Sequence, residues 1–246
     1  MSRKNKKQKS HSKDLKNKKP DFIKNTIEFK YLHLLVLLLI IITGAWLRFD
    51  YVFNAEHMPV TSDAQDYVKI ARSIVNRGTM SYGYSKEPSA YVMPGFPLFL
   101  ASVLKMTRIF EWSEQAFYQT VRFFSALMSL SWIVFIYLTV KELSERKWLP
   151  LLAAAFVCFY PPFIWCSERI LTEVPYTFTL IVAVWFMARA WKRPGILNYV
   201  LFGAAVGISL LVRPIMLWFI PLYIIADFIK SRKNPWKPFL LKSSVF

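Results

Sequence analysis

Cysteine and histidine are scarce in this chain. Its two cysteines, Cys158 and Cys166, fall in one apolar stretch without CxxC spacing and so say nothing about disulfides or redox chemistry. Their setting gives them the role of small buried apolar residues. His11, His33 and His57 are scattered, so no His/Cys zinc site can be read. Charge is also thin, at 19% of 246 residues, against about 25% in soluble domains. What is present instead is apolar: 55% hydrophobic and 17% aromatic residues, with mean hydropathy +0.32. One soluble core of this size cannot hide that excess, so the chain reads as a membrane protein.

Acidic residues are the scarcer sign, 15 against 32 basic ones, for a net charge of +17. Much of the surplus sits at the start, where Arg3 and ten lysines face only Asp14, Asp21 and Glu28 within residues 1–30. No aromatic is interleaved in the basic run from Arg3 to Lys19 to stack on bases, which argues against nucleic acid as a partner. A disordered cytoplasmic tail lying on anionic membrane lipids and setting topology accounts for it. The first apolar run begins about thirty residues in and is long enough to span, so it does not read as a cleaved signal peptide. No internal repeat and no low-complexity segment beyond the Lys-rich tail is evident.

Six stretches approach the length needed to cross a roughly 30 Å hydrocarbon layer as helices: 31–47, 117–140, 148–165, 171–188 and the shorter 196–212 and 214–229. The expected fold class is therefore all-α, a polytopic membrane helical bundle of about six transmembrane helices. Basic clusters follow the second span (Lys141, Arg146, Lys147), the fourth (Arg189, Lys192, Arg193) and the sixth (Lys230, Arg232, Lys233, Lys237). If every stretch crosses once, all of them share the side of the tail, which predicts a cytoplasmic location for that side. The organisation that results is a basic tail over 1–30, a transmembrane domain over 31–230 that includes a large outer first loop at 48–96, and a basic cytoplasmic segment over 231–246. The loop carries five basic residues (Arg48, Lys69, Arg72, Arg77, Lys86) and five acidic ones (Asp50, Glu56, Asp63, Asp66, Glu87), a balance that suits the outer face.

Within that loop, Ser62 and Gln65 have capping-box spacing, and a helix starting there places Tyr67, Ile70, Ala71, Ile74 and Val75 on one face. Gly78 supplies a stop. Such a helix fits the outer membrane surface and equally fits packing on the bundle. The stretch 94–106 is apolar but too short to span, with Pro94 and Pro97 holding its start, so it is expected to dip into the interface or re-enter.

Several ionisable residues collect at the outer mouth: Asp63 and Asp66 in the loop, Arg122 near the outer end of the second span, Glu168, Arg169 and Glu173 around the third-to-fourth turn, and Arg213 between the last two spans. Charge at membrane depth is costly unless paired or hydrated, which makes such residues functional candidates. The plainer alternative is that Glu168–Arg169 and Glu173–Arg213 are salt bridges closing turns. An acidic residue in the outer loop can act as general base toward an acceptor hydroxyl, and nearby cations can hold a phosphate leaving group. A substrate with a phosphate head and a long lipid tail suits such a site.

The run Ser62-Asp63-Ala64-Gln65-Asp66-Tyr67, then Ile70-Ala71-Arg72, Gly78 and Pro94-Gly95-Phe96-Pro97-Leu98-Phe99-Leu100-Ala101, resembles the first outer loop of the GT-C integral-membrane glycosyltransferases. The resemblance is to bacterial proteins similar to protein O-mannosyltransferases and lipid A aminoarabinose transferases, glycosyltransferase family 39 and its neighbours. Leu171-Thr172-Glu173-Val174-Pro175 and Leu211-Val212-Arg213-Pro214 look like later motifs of that family. The resemblance covers about residues 31–230. It implies juxtamembrane helices in the outer loop and an inverting transfer from a polyprenyl-phosphate sugar donor to a hydroxyl or amine of a cell-envelope glycan, lipid or protein acceptor. Asp63 is then the catalytic base, and Asp66, Tyr67, Lys86, Arg169, Glu173 and Arg213 are the candidate substrate-binding residues.

The chain departs from the pattern in two places. Relatives commonly carry an acidic residue directly after the Asp; here it is Ala64, which shifts a second acidic role to Asp66 or removes it. The aminoarabinose branch has a Lys just before its Pro-Pro pair, whereas Lys86-Glu87-Pro88 lies ahead of Pro94. No cofactor is implied with certainty: some GT-C enzymes use a divalent cation, and Asp63 with Glu173 could share one. Relatives are typically longer, so a fragment, a truncated product or a short form needing a partner is expected. The competing functions are a non-catalytic lipid-carrier-binding or scaffold protein and, less in keeping with charges gathered at one end, a transporter or flippase.

Overall fold

The computed structural model describes residues 31–55, 60, 62–82 and 87–231. The readings made above for residues 1–30, for Lys86 and for 232–246 lie outside them. Among the described residues the fold is all-helical: α1 Tyr31–Asn54, α2 Asp63–Arg77, α3 Gly95–Ile109, α4 Glu114–Leu143, α5 Leu149–Phe159, α6 Pro161–Cys166, α7 Glu173–Lys192, α8 Ile196–Val212, a 3-10 turn Pro214–Trp218, and α9 Phe219–Ser231. Three helices are by themselves long and apolar enough to cross a membrane: α1 with 24 residues, α4 with 30 and α7 with 20. The shorter apolar helices are α5, α8 and Pro214–Ile225.

The long α4 is the spine. It packs against α3, α5, α6 and α7, and α7 packs in turn on α8. One core joins α2, α3 and the start of α4 through Ala71, Phe96, Leu100 and Val121. A second is built around Trp132, Ile133, Ala154 and Val174, and a third joins α7, α8 and α9 around Ala183, Phe202, Met216 and Tyr223. Small side chains let the helices approach, and the Thr179 hydroxyl donates to Ser209 Oγ at 3.1 Å between α7 and α8, the kind of contact that holds helices together where no water competes. Leu35, Trp46, Leu152, Phe156 and Ile208 point outward and exposed, as expected of surfaces solvated by lipid chains.

Two sequence expectations are corrected here. The first helix does not stop at Leu47 but runs on to Asn54, so the loop that follows begins after it. Arg48, counted above with that loop, lies inside α1 and is fully buried. Its Nε donates to Ser129 Oγ at 2.9 Å, Nη1 to the carbonyls of Gly44 at 3.2 Å and Cys158 at 3.3 Å, and Nη2 to the Val157 carbonyl at 3.0 Å. The stretch 148–165 is also not one helix: α5 ends at Phe159 and α6 starts at Pro161, with Tyr160 extended between them. Pro161 and Pro162 cannot continue a backbone ladder.

The loop helix forms where the sequence places it, from Asp63 to Arg77, and ends at Gly78 in the left-handed conformation with φ 71°. Its start differs. Ser62 adopts φ 54° and its side chain does not cap the helix; the Ser62 carbonyl instead accepts the N–H groups of Gln65 and Asp66, so the capping box is absent. Ile70 and Ala71 are buried, with Tyr67, Ile74 and Val75 packed beside them. The apolar stripe of α2 is thereby turned onto α3. The stretch after Pro94 is a 15-residue helix, α3.

Candidate functional site

Two prolines and one glycine shape the place where the motifs meet. Pro214 disfavours helical backbone at the residue before it, and Arg213 accordingly leaves α8 in an extended conformation, φ −145° and ψ 129°. Pro175 sits in the first turn of α7, where no backbone donor is needed, and Glu173 opens that helix, where a carboxylate suits the positive end of the helix dipole. Gly95 starts α3 directly against the end of α8: a Cβ there would lie 2.6 Å from the Leu211 carbonyl oxygen. Only a residue without a side chain permits that approach, which ties the Pro-Gly element to the Leu-Val-Arg-Pro element.

The result is an arginine held at two points. Arg213 Nε donates to Thr172 Oγ1 at 2.8 Å and Nη2 to Glu173 Oε1 at 2.5 Å. The guanidinium also lies 5.8 Å from the centre of the Tyr176 ring. Both charged side chains are partly open to solvent, 38% for Arg213 and 45% for Glu173, yet the second carboxylate oxygen of Glu173 is buried with no hydrogen-bond partner.

Tyr67 joins this pair to α2. Its ring stands edge-on to Phe96 with centroids 5.1 Å apart, and its hydroxyl is within electrostatic reach of Arg213, Asp63, Thr172 and Glu173. Burial pushes the Tyr67 hydroxyl above its ordinary value, with the carboxylates of Asp63 and Glu173 adding to that; Arg213 and the Thr172 hydroxyl act the other way. Tyr67 is therefore a neutral hydrogen-bonding group across the physiological range. Asp63 stands exposed at the first position of α2, next to the unusual backbone of Ser62, whose hydroxyl lies 3.5 Å from Asp63 Oδ1.

The remaining candidates are distributed differently. Asp66 pairs with Lys69 at 3.2 Å one turn along the same helix and accepts from the Tyr82 hydroxyl at 3.5 Å. Desolvation first, and Asp66 next, raise the Tyr82 hydroxyl above its ordinary value. Arg169 belongs to a second, deeper cluster. Its Nε is 3.7 Å from Glu168 Oε2 and its guanidinium stacks on Trp165 at 4.1 Å, while Glu168 Oε1 also meets Arg122 Nε at 3.3 Å. Arg122 and Glu168 are both buried. Cys166 lies within reach of both Glu173 and Arg169, so the two clusters are neighbours.

Asp63, Tyr67, Glu173 and Arg213 are thus brought together at one end of the bundle, with Arg169 alongside. The opposite end carries the His33–Tyr137 contact at 3.0 Å and the Arg193–Glu142 pair at 3.4 Å. Sequence reasoning missed Thr172 as the second anchor of Arg213 and Arg122 as the partner of Glu168. Both lie in quoted or nearby segments, but pairing across helices leaves no periodic trace.

Tyr176, whose ring centre lies 5.8 Å from the Arg213 guanidinium, also lines an apolar groove of about 450 Å³ together with Ile215, Met216, Leu180, Val184, Phe219 and Leu222. A cation next to one wall of such a groove suits an amphipathic anion. Among the described residues no group of three or more His, Cys, Asp or Glu side chains is placed to hold a metal ion.

The profile of one protein family, described as dolichyl-phosphate-mannose-protein mannosyltransferase, matches residues 92–243. The match takes in Gly95, Glu173 and Arg213, while Asp63, Asp66 and Tyr67 lie ahead of it. No curated protein matches the chain.

Proposed function

The chain belongs to the dolichyl-phosphate-mannose-protein mannosyltransferase family, membrane glycosyltransferases of the GT-C type, and from that premise we propose that it moves a sugar from a polyprenyl-phosphate carrier to an acceptor hydroxyl or amine on the outer face, with inversion. The observation that carries this reading is the Arg213 guanidinium, anchored by Thr172 and Glu173 within reach of the same tyrosine that faces Asp63.

In the proposed reaction the acceptor oxygen or nitrogen attacks the anomeric carbon from the side opposite the phosphate. The bond between that carbon and the phosphate oxygen breaks with its electron pair leaving on the phosphate. A single displacement inverts the anomeric centre. Asp63 takes the proton released by the acceptor. Arg213 faces the negative charge that grows on the leaving phosphate, a role worth most where water is thin and the donor is held beforehand. Glu173 and Thr172 fix the guanidinium, and the neutral Tyr67 hydroxyl offers a hydrogen bond to the sugar or phosphate. Asp66 and Arg169 stand at the border of the site as further contacts for sugar and phosphate, and Lys86 is assigned by resemblance alone. The apolar groove below Tyr176 takes the start of the lipid tail.

The proposed topology places the basic tail and the 141–147, 189–193 and 230–242 segments in the cytoplasm and the loop helices with Arg213 outside. The acceptor is then a cell-envelope glycan, lipid or protein. Asp63 and Glu173 are the two carboxylates that a divalent cation would have to share. With waters and the donor phosphate completing its oxygen shell, such an ion would be held there by these two carboxylates, Glu173 keeping one oxygen on the Arg213 guanidinium; no step above is routed through it.

The test is transfer of labelled sugar from polyprenyl-phosphate donors to a membrane extract, with wild type and Asp63→Asn side by side. Transfer by the wild type that survives Asp63→Asn unchanged would remove the base from the mechanism. Donor binding without any transfer by the wild type would favour a lipid-carrier-binding role instead.

A further inference from the structure

Arg48 is fully buried, yet none of its four hydrogen bonds goes to a carboxylate. The identity of its acceptors explains this. In a continuous helix the Val157 and Cys158 carbonyls would accept the N–H groups of residues four positions on, and those residues are Pro161 and Pro162, which have none. Arg48 Nη2 and Nη1 donate to those same two carbonyls. Its Nε donates to Ser129 Oγ, and that hydroxyl donates on to the Phe163 carbonyl at 3.1 Å, on the far side of the break. Gly44, one turn before Arg48, makes room: a Cβ there would collide with Ile133 and crowd Cys158 Sγ and Arg48 itself.

We infer that Arg48 is a positioning residue that replaces the two backbone donors lost to Pro161-Pro162 and so fixes the α5–α6 break that delivers the Ser167–Thr172 turn to the candidate site. Two carbonyls without partners at membrane depth would otherwise pull the end of α5 open or force the helix to refold. A planar fork with five donors fits this task, whereas a lysine presents a single point of charge. The guanidinium thus grips α5 directly and α6 through Ser129, setting the angle at which Glu168, Thr172 and Glu173 arrive. Only the link to the site rests on the function proposed above.

The test is a cycle in a Cys166→Ala background, in which Cys158 is the remaining thiol and reports on the end of α5. Arg48→Leu should lower the melting temperature in detergent by roughly 5–10 °C and raise the rate of N-ethylmaleimide labelling of Cys158 at least tenfold. Adding Pro161→Ala and Pro162→Ala restores the two N–H donors, so the triple variant should recover most of the stability and thiol protection. Donor binding should stay low in that variant, because a straightened α5–α6 no longer presents Thr172 and Glu173. Should Arg48→Leu fail to fold, recovery of folded yield by the proline substitutions carries the same information. An additive cycle, or unchanged labelling in Arg48→Leu, would overturn the inference. Return of donor binding together with stability would overturn the positioning role while leaving the capping role. Both physical readouts are independent of any substrate.

Discussion

Arg48 and Arg213 are both arginines set beside proline-interrupted helices, and they have opposite fates. Arg48 spends four donations on a serine and three backbone carbonyls, with no exposure. Arg213 makes two donations, to Thr172 and Glu173, and remains 38% exposed. A guanidinium with four of its five donors engaged inside a bundle holds backbone in place. One anchored by two donors and open on its other edge keeps N–H groups for a ligand. The comparison teaches that a charge at membrane depth is not in itself a sign of chemistry; what its remaining donors face decides the matter. The Arg122–Glu168–Arg169 cluster lies between these extremes, with Arg122 and Glu168 buried and Arg169 half-buried, all of them paired as Arg213 is.

The largest expected effect tests whether the open end of the molecule is where reaction occurs. Asp63→Asn keeps size and polarity but removes the proposed base, and transfer should fall by about 10²–10⁴ with donor binding largely kept; single-turnover transfer alongside a binding isotherm checks both. Next is Arg213→Ala, which should weaken donor binding and slow the chemistry at unchanged stability, while Arg48→Leu should lower stability together with donor binding. If Arg213→Ala lowered folded yield alone, and Glu173→Ala combined with it restored that yield, Arg213 would be a structural residue, as Arg48 is.

Gly95→Ala comes third. A methyl group 2.6 Å from the Leu211 carbonyl must push α3 away from α8, an overpacking cost of about 1–3 kcal/mol, visible as a lower melting temperature with donor binding weakened in parallel. The smallest effect concerns pH. Tyr67 titrates above its ordinary value in the folded protein, so its contribution to stability is complete below about pH 10 and is lost as pH rises past that value. Thermal melts between neutral and strongly alkaline pH should therefore fall less steeply for Tyr67→Phe than for wild type. Equal slopes would detach Tyr67 from the cluster.

Much of this was legible because hydrophobic runs and breakers act locally. The all-helical class, the helix after Ser62, its end at Gly78 and the apolar face of α2 follow from residues within a few positions of one another. The extent of α1 was not legible, because Arg48 interrupts the apolar run and a charge ordinarily marks its end; the acceptors that make it tolerable come from α4 and α5. The missing capping box has the same origin, since its two residues have the right spacing but the backbone at Ser62 takes another path. Glu173 and Arg213 stood out as charges in apolar surroundings. That Thr172 completes their arrangement and Arg122 meets Glu168 depends on how helices stack, which no short window of sequence records.

The close approach of Gly95 to Leu211 also has a consequence in time. A ribosome adds about 5–20 residues per second, so α8 emerges several seconds or more after α3 has been made. Until then the face of Gly95 has nothing to close on, and Asp63 and Tyr67 wait beside an unfinished wall. The contact is made late, and with it come Thr172, Glu173 and Arg213 in one arrangement. A chain halted before α8 would carry Asp63 but not Arg213, and under the proposed function it would be inert toward the donor during its own synthesis.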